Sequence, residues 1–596
     1  MDLCIGGAVA AVAAVLYGMT MARDIVLGDT PELMIAAITL GVAHPPGYPL
    51  FAMLGHLFSL LPAGPLPLRL DLLSVVCGVG TVALVYLTAL RLSGNRAASA
   101  CAALVLACTP LFWSWSLVAE VFSLNNLAAA AVIYLLVVWQ ERPERRGFLI
   151  AAAFLSGLGL TNHQTLVLLG PAVLFLLWTR RRQLLARPRI VAACVAAFLV
   201  GLLPYAYLPW AAARHPVWNW GDATSLANFL AVILRKHYGT LRGVNAPQYM
   251  GGSPLDRIAS LGASFGVLAG ILLLLGAIQA YRRRRWYFWF TLLAFAFAGP
   301  IFVAYLSVNL SAPLTKFVLE RFYLLPQVVL APLMALGVLL AAELLASIVP
   351  ALRVHAVALL SACVLLAVLG GVIANYAEID QSKNHAARKF AEDVLASLEP
   401  RSILIANGDE VISPVVYLQD VEGYRPDVAL VVMPLLRTDW YVPQLRRQYP
   451  NLTIPFAQYD GRSGTLKDFI EANPGRPIAV VGVDPDDSLK GSYWYYHRGL
   501  VAVVEPISKD VTIDEMMADN EKLFSRYRPP SQHDIKSKSL EPSIVGHYVI
   551  LAFGAGEQCE QLHYYPQARV WYQRALNLDP SLGQVRDALT RVEQQH

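Results

Sequence analysis

Long apolar runs separated by short arginine clusters constrain this chain more than any other feature of its sequence. A helix needs about 20 apolar residues to cross a bilayer. Hydrophobic residues make up 56% of the chain and charged residues only 15%, whereas an ordinary soluble domain has about 25% charged residues. These patterns predict a polytopic α-helical membrane protein. The runs lie near residues 3–21, 71–91, 97–112, 118–140, 147–178, 189–211, 259–281, 286–308, 322–348 and 354–376.

The apolar run at 147–178 is too long for a single span. The polar stretch from Thr161 to Thr165 interrupts its middle, and an unpaired asparagine or histidine at mid-membrane is costly. We therefore predict two short helices joined by a polar turn, which gives about eleven spans in all. In this assignment residues 46–62 do not cross the bilayer. The segment Leu50 to Leu61 lies along the interface as an amphipathic segment.

The arginine clusters set the predicted orientation of the spans, because cytoplasmic loops are enriched in Lys and Arg. The N-terminus is then inside, and everything after about residue 377 is exoplasmic, or periplasmic if the membrane is a bacterial inner membrane. The first run has no basic region before it and is predicted to be a retained span. Most of the net charge of +5 lies in these clusters, which indicates topology rather than a nucleic-acid surface. The clusters are Arg91 with Arg96, Arg142 with Arg145 and Arg146, Arg180 to Arg182 with Arg187 and Arg189, and Arg282 to Arg285.

With this topology, polar and aromatic motifs from separate loops gather on the outer face. Acids, bases and aromatic rings supplied by several loops to one face are the layout of an active site. None of the seven cysteines suggests a disulfide framework or a zinc site. The motifs are Asp29, Glu32 and His44, then Trp115 with Glu120, Asn162 with His163, the loop 212–258, and Glu320 with Arg321.

Residues 377–520 are predicted to form an exoplasmic α/β domain, because apolar strands alternate there with helices. Asp409 and Glu410 follow the first strand, where open α/β sheets bind ligands. Carboxylates at such a position also cap helices, and this second interpretation is favoured. The predicted strands lie near 402–409, 427–433, 477–483 and 500–504, and the helices run from Val411 to Asp420 and from Trp440 to Tyr449.

Residues 521–545 are polar and predict a linker, and residues 546–596 predict a helical tail. The tail contains a Tyr-x-x-Ala-Leu-x-Leu-Asp-Pro pattern from Tyr572 to Pro580, which is similar to a tetratricopeptide (TPR) repeat. Because one repeat cannot bury its own apolar face, the tail either docks on the α/β domain or binds a protein partner. Docking as a helix pair is the favoured interpretation.

Several ordered motifs resemble one known family. Asp29-x-x-Glu32 followed by Ala43-His44-Pro45-Pro46-Gly47-Tyr48-Pro49 is similar to the N-terminal signature of protein O-mannosyltransferases related to the metazoan transmembrane mannosyltransferase of plexins. The resemblance implies a type C glycosyltransferase (GT-C) fold and a lipid-phosphate sugar donor. Thr30-Pro31 departs from the usual Ser-Gly pair, which bears on the acceptor. Further matching segments are 120–124, 160–163, 207–209, 219–222, 320–323, 407–409 and 424–428.

The resemblance places the catalytic aspartate at Asp29, where a carboxylate would take the proton of the acceptor hydroxyl. The alternative is that Asp29 caps a helix that begins at Thr30-Pro31. The two roles are compatible. Glu32 either orients Asp29 or completes a capping box three residues later.

Other candidates would bind the donor or orient the base, and each has a structural alternative. His44 could contact phosphate or bind the backbone of its own turn. Glu120 could be a site carboxylate or a helix-start charge favoured by the helix dipole. Asn162 and His163 lie in the predicted outer turn, where polar neighbours favour a site role for the histidine.

Arg321 is the first candidate for the donor phosphate, because guanidinium binds phosphate with two parallel hydrogen bonds. The alternative is an ion pair with the adjacent Glu320. Second candidates are Arg235, Lys236 and His237 in the large outer loop. Three aromatic residues of that loop could stack on a sugar or form an interfacial belt, which is the favoured interpretation. They are Trp218, Trp220 and Tyr238, and the family motif adds Asp222 beside Trp220.

Together, these residues and the resemblance predict a membrane glycosyltransferase that moves a sugar to a hydroxyl group. The resemblance implies a polyprenyl-phosphate donor and mannose as the default sugar. A single base opposite the leaving phosphate predicts inversion at the anomeric carbon. The acceptor is a Ser or Thr of an exported protein, or alternatively a lipid or an envelope glycan. A transporter or flippase is a less favoured alternative, because only one broken span is visible. No metal-ligand spacing is present, although a divalent cation could bind between Asp29 and the donor phosphate.

The topology makes a direct prediction about Asp29. In a variant without the seven native cysteines, Asp29→Cys is expected to react with a membrane-impermeant maleimide added outside intact cells. Arg145→Cys, in a cytoplasmic arginine cluster, is the control and should react only after the membrane is permeabilised. Labelling of the two positions in the opposite order would contradict the orientation.

Overall fold

In a computed structural model of the chain, the structure describes residues 1–236, 250–311, 313–530, 535–536 and 539–595. These residues divide into two compact units, and each unit collects segments that are distant in sequence. Unit 1 contains Met1–Arg23, Ala36–Pro216 and Asp222–Lys383. Unit 2 contains Asp24–Ile35, Val217–Gly221 and Asn384–His596.

The region before residue 380 is helical, as the apolar runs predicted. Its α-helices are α1 (Asp2–Thr20), α2 (Thr30–Ile38), α3 (Pro49–Ser59), α4 (Leu66–Ser93), α5 (Arg96–Ala107), α6 (Pro110–Trp115), α7 (Val121–Glu141), α8 (Gly147–Leu160), α9 (Gly170–Thr179), α10 (Arg181–Leu185), α11 (Pro188–Gly201), α12 (Tyr207–Ala212), α13 (Leu226–Ile233), α14 (Pro254–Ala263), α15 (Gly266–Arg283), α16 (Arg285–Ala296), α17 (Phe302–Tyr305), α18 (Pro313–Glu320), α19 (Leu324–Ile348) and α20 (Ala356–Ile379). A π-helical turn, Phe297–Ile301, joins α16 to α17. Among the described residues, eight helical stretches are long and apolar enough to cross a membrane.

Three shorter apolar helical stretches, Arg96–Ala107, Gly147–Leu160 and Gln164–Thr179, lie where the other three spans were predicted. Helix α8 ends at Leu160, and the chain resumes as a 3-10 helix, Gln164–Leu169, that leads into α9. The polar turn predicted inside the run 147–178 is therefore present. Helix α3 has 11 residues, which correspond to about 16 Å of helix, or about half of the roughly 30 Å of hydrocarbon.

Helices of unit 1 pack closely where glycines remove the side chain. A Cβ atom on Gly276 of α15 would lie 2.0 Å from the carbonyl oxygen of Leu333 in α19, and a Cβ on Gly337 of α19 would lie 2.0 Å from that of Leu272. Small residues allow the backbones of apolar helices to approach without a clash. The α15–α19 contact therefore depends on these two glycines.

Unit 2 contains a five-stranded sheet with the order β2-β1-β3-β5-β4. Strand β1 pairs in parallel with β2 and β3, whereas β5 pairs antiparallel with β3 and β4. The aromatic strand β4 was not predicted, and the sheet is mixed, with both parallel and antiparallel pairs. The strands are β1 (Ile403–Ala406), β2 (Ala429–Val432), β3 (Ile478–Val481), β4 (Tyr493–Arg498) and β5 (Val501–Pro506).

Helices cover the sheet and form the tail of unit 2. They are α21 (Ala386–Ala396), α22 (Asp409–Asp420), α23 (Tyr441–Gln448), α24 (Leu466–Glu471), α25 (Ile513–Phe524), α26 (Glu541–Gln561), α27 (Tyr565–Leu578) and α28 (Gly583–Glu593). The predicted linker 521–545 overlaps the end of α25 and the start of α26. Asp409 and Glu410 lie in the first turn of α22, as the helix-start interpretation expected.

The tail docks within unit 2. Ile513, Met517 and Phe524 of α25 pack against the apolar cluster of α26, α27 and α28. His547 of α26 lies 3.4 Å from Glu410. Burial alone would raise the pKa of Glu410, but the hydrogen bond with His547 brings this pKa below its usual value. The apolar face that suggested a protein partner is thus occupied by the chain itself.

The glycine contact predicts a position-specific loss of stability. Gly276→Ala should lower the thermal unfolding midpoint in detergent, because overpacking a close contact costs about 1–3 kcal/mol. Gly270→Ala lies on the same helix and meets no atom within 4 Å, so it should leave the midpoint unchanged or raise it slightly. Equal midpoints for the two variants would contradict the close α15–α19 approach.

Candidate functional site

Glu120 and Arg321 form a buried ion pair in unit 1. Glu120 has extended backbone immediately before α7, and Arg321 begins the 3-10 turn between α18 and α19. The Arg321 Nη1 atom lies 3.9 Å from Glu120 Oε1, and the two side chains are 11% and 2% exposed. The ends of three helices therefore bring a carboxylate and a guanidinium together. The ion-pair partner of Arg321 is Glu120, in addition to any contact with its neighbour Glu320.

Aromatic rings surround the Arg321 guanidinium. Its Cζ atom lies 5.7 Å from the ring centre of Trp115 and 5.5 Å from that of Phe122. Rings at this distance attract a cation through their negative faces. The arrangement keeps a positive charge in a partly desolvated place, where it attracts anions more strongly than it would in water.

His163 and His44 are connected through Tyr48. The ring of Tyr48 stacks on His163 at 6.0 Å with an interplanar angle of 17°, and the Tyr48 hydroxyl lies 3.2 Å from His44 Nε2. His163 Nδ1 lies 2.7 Å from Thr165 Oγ1, and its ring lies 4.8 Å from Phe122. Tyr48 thus contacts both predicted histidines, and Phe122 contacts both His163 and Arg321. Tyr48 stood in the family motif but had no predicted role.

Asn162 is fully buried and stabilises the helix break. Its Nδ2 group donates to the carbonyl oxygen of Val121 at 2.8 Å, which ties the turn to the first residue of α7. Asn125 Nδ2 donates to Thr165 Oγ1 at 3.3 Å. Asn125 Oδ1 is buried without a hydrogen-bond partner among the described residues. It borders a small cavity lined also by Phe122, Thr165, Phe302, Arg321 and Phe322.

Two residues that position Glu120 were missed from the sequence. Asp71 Oδ1 accepts a hydrogen bond from the amide of Ala119 at 2.7 Å, and Ser74 Oγ accepts one from the amide of Glu120 at 3.2 Å. Asp71 is fully buried in α4. A carboxylate inside an apolar helix is costly unless it has partners, so its position at the start of an apolar run was the available signal.

In unit 2, Asp29 precedes a helix and Glu32 is held by an indole. The amide of Leu33 donates to the carbonyl oxygen of Asp29 at 2.9 Å, so Asp29 occupies the N-cap position that its structural alternative expected. Glu32 is 8% exposed, and its Oε1 accepts a hydrogen bond from Trp218 Nε1 at 3.0 Å. Trp218 is buried as well, so it is not part of an exposed aromatic belt.

The remaining candidates lie in the segment from Trp220 to Lys236. Trp220 packs on Trp440 of unit 2 with ring centres 5.3 Å apart. The Asp222 carbonyl accepts a hydrogen bond from Asn228 Nδ2 at 3.0 Å in unit 1. Arg235 follows α13. The carbonyl oxygen of Ile233, at the end of α13, accepts a hydrogen bond from Gln164 Nε2 at 2.7 Å, so the end of α13 lies beside Gln164, the residue after His163. Predicted residues His237 and Tyr238 lie outside the described residues.

In the described parts of the chain, no three His, Cys, Asp or Glu side chains are grouped as ligands of a metal ion. Around Phe122, the polar residues include the Arg321 guanidinium, the His163 imidazole and the Asn125 amide. This set can bind an anion and orient hydroxyl groups by hydrogen bonds.

Two family models match the chain. The Protein O-mannosyl-transferase TMEM260 N-terminal domain matches residues 29–186, and TMEM260-associated domain 2 matches residues 387–465. The chain is 33% identical over 505 residues to Protein O-mannosyl-transferase TMEM260 of Mus musculus, covering 80% of this chain and 71% of the mouse protein. It is 29% identical over 546 residues to the Dictyostelium discoideum protein, covering 83% of this chain and 65%, just under two thirds, of that relative. These matches confirm the resemblance drawn from the sequence motifs.

Solved structures of ArnT from Cupriavidus metallidurans share the fold. The crystal structure bound to undecaprenyl phosphate has a TM-score of 0.54 at 14% identity, covering 84% of this chain and 98% of ArnT. The apo structure has a TM-score of 0.55 at 14% identity, covering 83% and 96%. The predicted GT-C fold of a polytopic membrane protein is therefore confirmed.

The buried pair predicts strong thermodynamic coupling between Glu120 and Arg321. Glu120→Gln and Arg321→Gln should each destabilise unit 1 by about 3–5 kcal/mol, because each leaves one buried charge without its ion-pair partner. The double variant should lose much less than the sum, as measured by unfolding midpoints in detergent.

The Arg283–Glu343 pair is the matched control for this cycle. Its atoms are closer, at 2.6 Å, but its side chains are 62% and 40% exposed, so its coupling should be about 0.2–1 kcal/mol. Coupling at the exposed pair as large as that at the buried pair would contradict the role given to burial.

Proposed function

Because the chain belongs to the TMEM260 family of protein O-mannosyl-transferases, we propose that it transfers a sugar, with mannose as the default, from a polyprenyl-phosphate donor to a hydroxyl acceptor. The acceptor of first choice is a Ser or Thr of an exported protein. The enzyme would act on the exoplasmic or periplasmic side of its membrane. Family membership favours an enzyme over the transporter alternative.

The single observation that supports the donor site best is the Arg321 guanidinium. It is 11% exposed, paired with Glu120 and flanked by Trp115 and Phe122. Arginine matches the geometry of phosphate oxygens with its planar fork of N–H donors. The shared fold with ArnT, solved with undecaprenyl phosphate, supports the class of donor. We assign Arg321 to the donor phosphate and His163 and His44 to hydrogen bonds with donor or acceptor.

We assign the base role to Asp29. Its carboxylate would take the hydroxyl proton while the acceptor oxygen bonds to the anomeric carbon. The bond between that carbon and the phosphate oxygen breaks, and polyprenyl phosphate leaves with the electron pair. Attack opposite the leaving group inverts the anomeric centre. Glu32, held by Trp218, would fix the first turn of the helix that follows Asp29.

A second acceptor class is a lipid or an envelope glycan, which presents the same hydroxyl chemistry. A divalent cation could add charge stabilisation at the phosphate. We assign Trp220, Asp222 and Arg235 to contacts with donor or acceptor groups. The protein partner predicted for the tail is not needed for this reaction.

An in-membrane assay with labelled polyprenyl-phosphate mannose tests the base. Asp29→Asn should lower kcat by about 10²–10⁴-fold, because general-base catalysis contributes about that factor. Asp256→Asn is the control, since it removes an exposed first-turn acid of α14 and should transfer at the native rate. Native-rate transfer by Asp29→Asn would remove Asp29 as the base.

The same assay tests the phosphate role. Arg321→Lys keeps the charge but loses the planar fork, so it should raise the KM for the donor about tenfold or more with a smaller change in kcat. An unchanged donor KM would contradict that role. Failure of the native chain with both peptide and glycan acceptors would contradict the donor class.

A further inference from the structure

Asp24 lies five residues before Asp29 and is held by two side chains at the start of α21. Both oxygens of its carboxylate lie 2.8 Å from Arg388 Nε, and Oδ2 lies 2.8 Å from His385 Nδ1. Asp24 is only 6% exposed. The amide of Ile25 also donates to Asp24 Oδ1 at 2.8 Å, so the carboxylate is bonded both to α21 and to its own chain. All of these residues belong to unit 2.

Arg388 is itself held from the opposite side. Its Nη1 and Nη2 groups donate to the two carboxylate oxygens of Glu422 at 2.6 and 2.7 Å. The bonds with Glu422, followed by those with Asp24, raise the pKa of Arg388 above its usual value even though burial opposes this. The planar guanidinium therefore joins two carboxylates from different parts of the chain, which restricts it far more than a single ion pair would.

The segment that carries Asp29 has a second anchor on its other side. Glu32 accepts a hydrogen bond from Trp218, and the carbonyl of the preceding Val217 accepts one from Gln444 of α23 at 3.0 Å. Asp29 thus lies between an anchor on α21 and an anchor that leads to α23. Both helices pack in the α/β part of unit 2.

Tail contacts also support α21. The Tyr548 hydroxyl of α26 donates to Asp393 Oδ2 at 2.6 Å, and the Tyr548 ring lies 6.1 Å from Phe390. Asn384, just before His385, donates to Glu541 at the start of α26. The helix that holds Asp24 is therefore fixed by the docked tail.

We propose that Asp24 and Arg388 are positioning residues, which hold the segment 24–35 on the α/β domain so that the Asp29 carboxylate keeps one orientation. We call the contact between Asp24 and Arg388 the clamp. The inference rests on the proposed function, because it assigns the effect of the clamp to the base Asp29. Arg388 acts only through Asp29 and touches no substrate. The α/β domain thereby becomes part of the catalytic apparatus rather than an appendage.

The structure offers a matched ion pair that separates positioning from general stability. Arg425 lies 2.8 Å from Asp427 and donates to the carbonyl oxygens of Leu395, Leu398 and Glu399. Its side chain is 23% exposed, and that of Arg388 is 22% exposed. Arg425 therefore has comparable burial and bonding in the same domain, without a bond to the segment 24–35.

The first arm of the experiment does not depend on turnover. Hydrogen–deuterium exchange of the full-length protein in detergent should be at least tenfold faster for amides in 24–35 in Arg388→Gln than in the native chain. In Arg425→Gln those amides should exchange at the native rate. Unchanged exchange in Arg388→Gln would overturn the clamp, whatever the protein catalyses.

The second arm measures transfer with labelled polyprenyl-phosphate mannose. Arg388→Gln and Asp24→Asn should lower kcat about 10–100-fold with the KM of the donor unchanged, and Arg388→Lys should recover only part of the loss. Arg425→Gln should keep the native kcat. Equal losses in Arg388→Gln and Arg425→Gln would overturn the inference.

A double variant identifies the residue through which the clamp acts. Asp29→Asn combined with Arg388→Gln should transfer no more slowly than Asp29→Asn alone, because a positioning residue has no further effect once its base is removed. A further loss as large as that in the native background would overturn the inference. Native-rate transfer by Asp29→Asn alone would instead refute the base assignment, and the exchange arm would still report on the clamp.

Discussion

Where the apolar helices of unit 1 end, buried polar groups need hydrogen-bond partners. This constraint determines where the polar side chains of unit 1 lie. A polar atom without a partner in hydrocarbon costs several kcal/mol, so every break in a span must bring its own partners. Arg257 is 2% exposed and donates to the carbonyl oxygen of Gly251, before α14, and to those of Val303, Ala304 and Val308, beyond the π-helical turn. Asn162 does the same for the break before Gln164. Glu120, His163 and Arg321 lie at such helix ends, where polar groups are already required.

In unit 2, the polar contacts that hold the segment 24–35 also join parts of the chain that are far apart in sequence. Asp24 and Arg388 are separated by 364 positions, and Glu32 and Trp218 by 186. Short stretches of the N-terminal region are thus built into an α/β domain whose sheet is formed only after residue 400. Charge-assisted hydrogen bonds supply the directionality for this assembly. The segment of the proposed base is therefore held by side-chain hydrogen bonds in addition to its buried apolar residues, such as Ile25, Leu33 and Met34.

Local sequence patterns predicted the features that depend on neighbouring residues, namely helices, strands and helix breaks. The length of apolar runs gave the helices, and the polar residues at 161–165 gave the break in the long run. The strand predicted near 402–409 and the helix predicted from Val411 to Asp420 are also present, as Ile403–Ala406 and Asp409–Asp420. The Asp24 clamp was not, because nothing beside Asp24 in sequence distinguishes it from a helix-flanking charge. Glu120 and Arg321 were each chosen as candidates, but periodicity carries no information about which carboxylate a distant arginine will meet.

Strand β4 shows the same limit in another form. Its residues Tyr493–Arg498 are largely aromatic, and aromatic residues favour strands, but its place at the sheet edge depends on antiparallel pairing with β5. Tyr48 likewise stood in a motif as part of a Pro/Gly turn, and only the fold brings it onto His163. The sequence did not predict which distant residues and strands contact each other, because these contacts depend on the tertiary fold.

The pairing of Arg321 with Glu120 bears on turnover in the proposed reaction. Coulomb energy falls with distance, so a phosphate oxygen at hydrogen-bond distance attracts the guanidinium more strongly than Glu120 does at 3.9 Å. The donor can therefore compete for Arg321. After transfer, the product is again a lipid phosphate, and a guanidinium with no carboxylate nearby would hold it tightly. In the proposed reaction, Glu120 would lower the cost of its departure by stabilising the cation that remains, so that one arginine could bind and release two similar anions.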